Sequence, residues 1–282
     1  MKRSFVLTAL MGAVLTFSCA NVRAQKMTAE EVIAKHLEAI GKSDDRVKMK
    51  NVTAVGEVAY SKLSQTSKPA VGRVVFAAED KSSLLAMVFD STVYTGEKII
   101  FDGKSKLVDF ATPGIRSQLG DYLFRYDTII THGLLGGVLE KGWPLADLQA
   151  HGAKVDLDGT KKIDGKDNYV LSYLPKKGAD IRIKLYFDKE TFRHTRTEYF
   201  RTNAPGMGHD PNTSSQLVET HENLTEEFAD FKTENGVTLP RTYKLRLYIE
   251  RANQTYETQY VITFKEFFYN SKLDPATFQT SE

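Results

Sequence analysis

Two stretches late in the chain decide the fold: Ile181-Arg182-Ile183-Lys184-Leu185-Tyr186-Phe187-Asp188 and Tyr243-Lys244-Leu245-Arg246-Leu247-Tyr248-Ile249-Glu250. Apolar side chains recur at every second position, with charged ones between. Successive side chains of an extended strand point to opposite faces, so each stretch reads as a strand with one apolar and one wet face. Working outward, the same period appears in runs near 154–158, 168–174, 191–201, 217–232, 237–250 and 255–269. It appears again upstream, from Val52, Ala54, Gly56 and Val58 through runs near 71–78, 83–90, 95–101 and 105–110. Asp102-Gly103, Asp164-Gly165 and Asn235-Gly236 mark hairpin turns, because these residues tolerate the positive φ that tight hairpins require. About a dozen antiparallel strands are expected. Twist accumulates across so many, so the sheet must curl into a strongly curved sheet or incomplete β-barrel.

The curled sheet needs a cover for its concave apolar face, and two segments of helical period can supply it. Thr28-Ala29-Glu30-Glu31 is a capping box opening a helix that Gly41 closes, with Ala29, Ile33, Leu37 and Ile40 on one face. Between about 113 and 150, Leu119, Tyr122, Leu123, Tyr126, Ile129 and Ile130 approximate helical spacing before the glycine-rich His132–Gly137 interrupts it. Two or three short helices inserted into a sheet protein are expected there, ending near Trp143-Pro144. Incomplete filling by these covers leaves a hydrophobic cavity. Its candidate lining is Ile183, Leu185, Leu245, Leu247, Ile262 and Phe264 from the sheet, with Leu119, Tyr122, Leu123, Leu134 and Leu135 from the lid. Tyr256, Tyr260, Phe264 and Phe268 form an aromatic stripe on the last strand that suits either cavity lining or core packing. Asn203 to Ser215, rich in Gly and Pro, is expected to be a loop between strands.

The first 24 residues carry Lys2 and Arg3, then a 13-residue apolar-rich run from Phe5 to Phe17, then a polar stretch ending Val22-Arg23-Ala24. That is the layout of a secretory signal, with the small residues placing cleavage after Ala24. The run is shorter than the roughly 20 residues of a membrane-spanning helix. Cys19 offers a competing cut with lipidation, disfavoured because Thr16 stands where an aliphatic residue is expected. A single domain over 25–282, in a periplasmic setting, follows.

Removing the signal leaves 35 basic against 36 acidic side chains, near neutral and without a basic cluster, which argues against nucleic acid. Cys19 is the only cysteine, so the exported domain has no disulfide, thiolate zinc ligand or cysteine nucleophile. His221-Glu222-Asn223-Leu224-Thr225 starts like a zinc-protease helix but has Thr225 where the second histidine belongs. His209-Asp210 reads as an exposed polar turn, and His132–Gly137 lacks the phosphate-loop lysine. No Gly-x-Ser-x-Gly elbow occurs, and Glu226-Glu227 reads as surface decoration of a strand. No catalytic residue, metal or cofactor is nominated, and an enzyme is not expected.

The signal peptide, the opening helix 28–37, the hairpin Phe101-Asp102-Gly103-Lys104, the helical middle, Gly236-Val237-Thr238-Leu239-Pro240 and the closing Leu273-Asp274-Pro275-Ala276-Thr277-Phe278 together resemble outer-membrane lipoprotein-sorting proteins, over nearly the whole exported chain. The resemblance implies a LolA/LolB-like fold, an unclosed antiparallel barrel lidded by helices whose apolar interior receives acyl chains. The family's carrier holds its lid with an arginine that no motif here matches. The expected function is therefore a periplasmic carrier or binding protein, as a monomer, for lipid, lipoprotein acyl chains or another apolar ligand. The alternative is an envelope sensor or interaction module that uses the same fold to bind an envelope protein.

Overall fold

A computed structural model describes residues 27–65, 68–92, 94–110, 116–203, 219–251 and 254–280; the signal segment, with Cys19, and the 204–215 part of the expected loop lie outside them. Twelve strands form one antiparallel sheet: β1 Asn51–Lys62, β2 Ala70–Glu79, β3 Ser82–Phe89, β4 Gly96–Phe101, β5 Lys106–Asp109, β6 Ala153–Ile163, β7 Lys166–Pro175, β8 Arg182–Asp188, β9 His194–Asn203, β10 Thr220–Glu234, β11 Val237–Arg251 and β12 Gln254–Tyr269. Their order is β5-β4-β3-β2-β1-β12-β11-β10-β9-β8-β7-β6. Each strand thus neighbours its successor in sequence except at one place. The break falls between β5 and β6, and the first and last strands pair instead.

That break is where the helical insertion sits. It holds α3 Gln118–Arg125, α4 Thr128–Thr131 and two short 3-10 turns at Gly137–Leu139 and Pro144–Ala146. Before the sheet come α1 Ala29–Ile40 and the six-residue α2 Ser43–Lys48, the latter unforeseen because nothing on it is buried. The Thr28 hydroxyl accepts from the Glu31 N–H while the Glu31 carboxylate accepts from the Thr28 N–H, completing the expected capping box. Asp164-Gly165 and Asn235-Gly236 make two-residue turns with φ of 48° and 83°, and 51° and 78°. Positive φ at both positions gives the turn a twist that matches the flanking strands.

The sheet is curved and unclosed. Its curvature is measured by what the insertion touches. The Gly136 N–H donates to Glu226 Oε1 on β10, while a Cβ on Gly136 would lie 2.8 Å from the Phe76 ring on β2. Those strands are four places apart in the order, which in a flat sheet is about 19 Å. One residue can bridge them only because the sheet wraps around it. Inward-facing Val74, Phe76, Leu185, Tyr199, Leu245 and Ile262 therefore share one hydrophobic core with the insertion.

Register explains one departure from expectation. Gly56 pairs with Phe264 but Val55 pairs with Glu266, so Lys265 is an extra residue and the side chains beyond it change face. Tyr260 and Phe264 point inward, whereas Phe268 is 44% exposed and Phe267 packs against the core in its place. The aromatic stripe is continuous in sequence but not in space. Gly56 permits the bulge, since a Cβ there would lie 2.1 Å from the Thr263 carbonyl oxygen.

Candidate functional site

The concave face and its cover form the candidate site. All six sheet residues proposed as lining, Ile183, Leu185, Leu245, Leu247, Ile262 and Phe264, are buried in the common core, and so are Leu119, Tyr122, Leu123, Leu134 and Leu135 of the insertion. The insertion's own side chains occupy the face. The larger clefts found among the described residues lie elsewhere, at the rim and on the outer face, lined largely by polar side chains, and a small one of about 10 Å³ lies beside α1 against His36, Val138 and His194.

Polar bonds fasten this apolar cover to the sheet. Arg125, the last residue of α3, donates from both guanidinium amines to the two carboxylate oxygens of Glu222 at 3.0 Å. The Tyr126 hydroxyl donates to the same carboxylate at 2.6 Å. Burial pushes Glu222 up, but these charge-assisted bonds outweigh it and hold the group below the usual carboxylate range. Tyr122 adds a bond from its hydroxyl to the Tyr199 carbonyl at 3.1 Å.

Glu226 is a second fastening of different character. Fully buried, it accepts from the Gly136 N–H at 2.7 Å, the Tyr199 hydroxyl at 2.6 Å and the Tyr243 hydroxyl at 2.5 Å. Desolvation dominates the three bonds and pushes it up to about 7. Gly136 has φ 87°, a conformation that glycine adopts without strain and that aims its N–H at the carboxylate. This corrects the expectation for Glu226-Glu227. The strand argument that the two point oppositely holds, but Glu226 shares the inward parity of Leu224 and Phe228 and only its neighbour reaches the surface.

Two more buried glutamates lie on the seam. Glu140, in the insertion, hydrogen-bonds Ser83 of β3 and is pushed up to about 8 by burial, with the Glu226 charge adding to the rise. Glu97 of β4 accepts from the Tyr94 hydroxyl at 2.7 Å, which is itself 2.9 Å from the Tyr260 hydroxyl. Burial raises Glu97 to about 7, partly offset by Ser117 at the head of α3. On the α1 side, Trp143 Nε1–H donates to His36 Nε2 at 3.1 Å while His36 Nδ1 bonds the Phe192 carbonyl at 2.9 Å. Burial depresses His36 to about 4 and takes neighbouring His194 well below its ordinary value.

The sequence reading missed Arg125, Glu97, Glu140, Glu222 and Glu226. A signal existed for Glu222 and Glu226: both lie on the parity of β10 that also carries Leu224 and Phe228, so charged residues had to share the apolar face. No such signal marks Glu140, which sits in irregular backbone. No group of three or more histidine, cysteine or acidic side chains placed to hold a metal occurs among the described residues, and no helix there is long and apolar enough to cross a membrane.

No protein-family model matches the chain, and no curated protein matches it. Among solved structures the chain is similar to a LolA superfamily protein from Nitrosomonas europaea, with 14% identity over 90% of this chain and 98% of that one and a TM-score of 0.49. It is similar also to an outer membrane lipoprotein-sorting protein domain from Vibrio parahaemolyticus, with 12% identity over 87% and 97% of the two chains and a TM-score of 0.45. A DUF1329 family protein from Desulfovibrio piger shares 13% identity over 88% and 95%, at a TM-score of 0.41.

Proposed function

We propose that the chain is an exported carrier or binding protein that holds an apolar ligand, a lipid or the acyl chains of a lipoprotein, between the concave sheet face and the helical insertion. The observation that supports this reading is the construction of the cover. A long apolar face is closed by a separate piece of chain, inserted at the single break in the sheet and fastened by a small set of polar bonds. In this reading Ile183, Leu185, Leu245, Leu247, Ile262 and Phe264 form the floor, and Leu119, Tyr122, Leu123, Leu134 and Leu135 form a lid that swings away. The N-terminal 24 residues direct export to the periplasm and are removed there.

Entry is an exchange, because the lid's side chains already fill the face. A buried methylene is worth about 0.8 kcal/mol, so a 16-carbon chain offers on the order of 12 kcal/mol. Fully burying a large apolar side chain gives about 1.5–3 kcal/mol, so such a chain compensates for roughly five lid residues leaving the sheet. No cofactor or reacting group enters the scheme. Organic extraction and native mass spectrometry of the purified, processed protein test it, with co-purified lipid as the expected result. Repeated recovery of empty protein that also fails to take up a fluorescent fatty acid would remove the carrier reading. The second reading, an envelope sensor or interaction module, is favoured by the open edge of the eleven-residue strand β6, which could add a partner's strand.

A further inference from the structure

A cleft of about 160 Å³ opens at one end of the lid, bounded by Lys81 of the β2–β3 turn, Phe101 and Gly103 of the β4–β5 hairpin, and His132, Gly142 and His151 of the insertion. At roughly 30 Å³ per water, it has room for about five water molecules. Its walls carry three basic side chains and no carboxylate. The three larger clefts among the described residues each include acids beside their basic groups: Asp109 and Asp121 with Arg116, Asp158 and Glu198 with Lys161, Asp164 and Glu227 with Arg196.

The local construction keeps these basic groups together. The His132 and His151 rings lie 6.1 Å apart between centroids. Tyr173 holds the first of them through its hydroxyl, 2.8 Å from Nδ1, leaving Nε2 as the ring's second polar atom. Gly133 and Gly142 meet so closely that a Cβ on Gly133 would lie 2.6 Å from the Gly142 carbonyl oxygen, which closes the 134–141 segment of the insertion into a loop beside the cleft. Burial lowers both imidazoles, and the charges of His132 and Lys81 lower His151 further. Asp127 and Asp147 act on the two histidines only at a distance, as partial relief. The lowered imidazoles are therefore mostly uncharged near neutral pH beside the Lys81 ammonium, and an anion seated among them would supply the counter-charge the wall lacks and draw protons onto the rings.

We propose that this cleft is an oxyanion site, taking a phosphate or carboxylate group through Lys81, His132 and His151. Its position at the rim of the lid suits the head of an amphiphile whose hydrocarbon tail lies on the concave face. That second step rests on the carrier reading. The oxyanion site does not, since a free phosphate satisfies the same groups.

The test is histidine ring NMR of the processed protein, followed as a function of pH with and without inorganic phosphate and titrated at neutral pH with inorganic phosphate, dodecyl phosphate and dodecanol. Phosphate is expected to raise the titration midpoints of His132 and His151 and to bind about tenfold more weakly to Lys81→Gln, a substitution at an exposed side chain. Unmoved His132 and His151 resonances with both phosphates would overturn the site, as would shifts that persist undiminished in Lys81→Gln and in His151→Gln. Dodecyl phosphate binding at least tenfold tighter than phosphate, with dodecanol also bound, identifies the anion as a ligand's head. Equal affinity for the two phosphates with dodecanol unbound keeps the oxyanion site and removes the tail from the concave face, so the two ideas fail separately.

Discussion

Single carboxyl groups carry much of what is unusual here. Glu97, Glu140 and Glu226 are raised to about 7, 8 and 7 by burial, against about 4.5 for an exposed glutamate. Between these values the folded chain binds protons that the unfolded chain has released, so their contribution to stability falls as pH rises from about 4.5 through 7 to 8. His36 and His194 act oppositely: depressed in the folded state, they cost stability as pH falls below 6.5, where the unfolded chain takes up protons first. The two sets oppose each other between about 4.5 and 6.5, leaving the glutamates alone above that. Urea denaturation should therefore show a loss on the order of 3 kcal/mol from pH 6.5 to 8.5, at 1.36 kcal/mol per proton and pH unit. Glu140→Gln should remove about half of that slope, since it titrates last; a slope unchanged in the variant would show that this group does not ionise in the window. Gly136→Ala is expected to cost about 1–3 kcal/mol, because φ 87° and the Phe76 ring both oppose a side chain.

At the scale of the element, the insertion is the part that the proposed carrier function requires to separate from the sheet. Its tie to β10 through Arg125 and Glu222 joins a cation one-third exposed to a carboxylate 1% exposed. Removing the cation leaves the buried carboxylate to the Tyr126 hydroxyl and to the more exposed Arg251, 3.5 Å away, so Arg125→Ala should destabilise closure by on the order of 1 kcal/mol, less than breaking a fully buried pair costs. Hydrogen exchange is the suitable measurement, with faster exchange expected over 118–139 and unchanged protection in β10 and β11. Uniform loss across the sheet would mean that the insertion cannot open by itself. The helices' existence was legible because Leu119, Tyr122 and Leu123 keep helical spacing. Their fastening was not, because it joins residues 97 apart in the chain, as Arg125 and Glu222 are. The capping box of α1 and the two-residue turns at 164–165 and 235–236 were legible for the opposite reason: each is complete within four residues.

For the whole molecule, the pairing of β1 with β12 is the decisive contact, joining Val52 to Tyr269 and Lys62 to Thr258. Within the sheet, β2–β5 join the seven strands β6–β12 only through this pairing. Ending the chain before Gln254 should therefore abolish cooperative unfolding, which calorimetry would register as the loss of a single transition. Survival of an undiminished transition would show that β6–β11 folds alone. By itself the sequence determined the strands, the turns, the two helical covers and the bending of a sheet of this size, because period, capping and turn chemistry act between near neighbours. Only the tertiary structure decided that the sheet breaks where the insertion enters, that a bulge at Lys265 turns Phe268 outward, and that four glutamates are buried along the lid. Those outcomes depend on which distant backbone lies opposite, and a carboxylate is the same residue in sequence whether water or a tyrosine hydroxyl faces it.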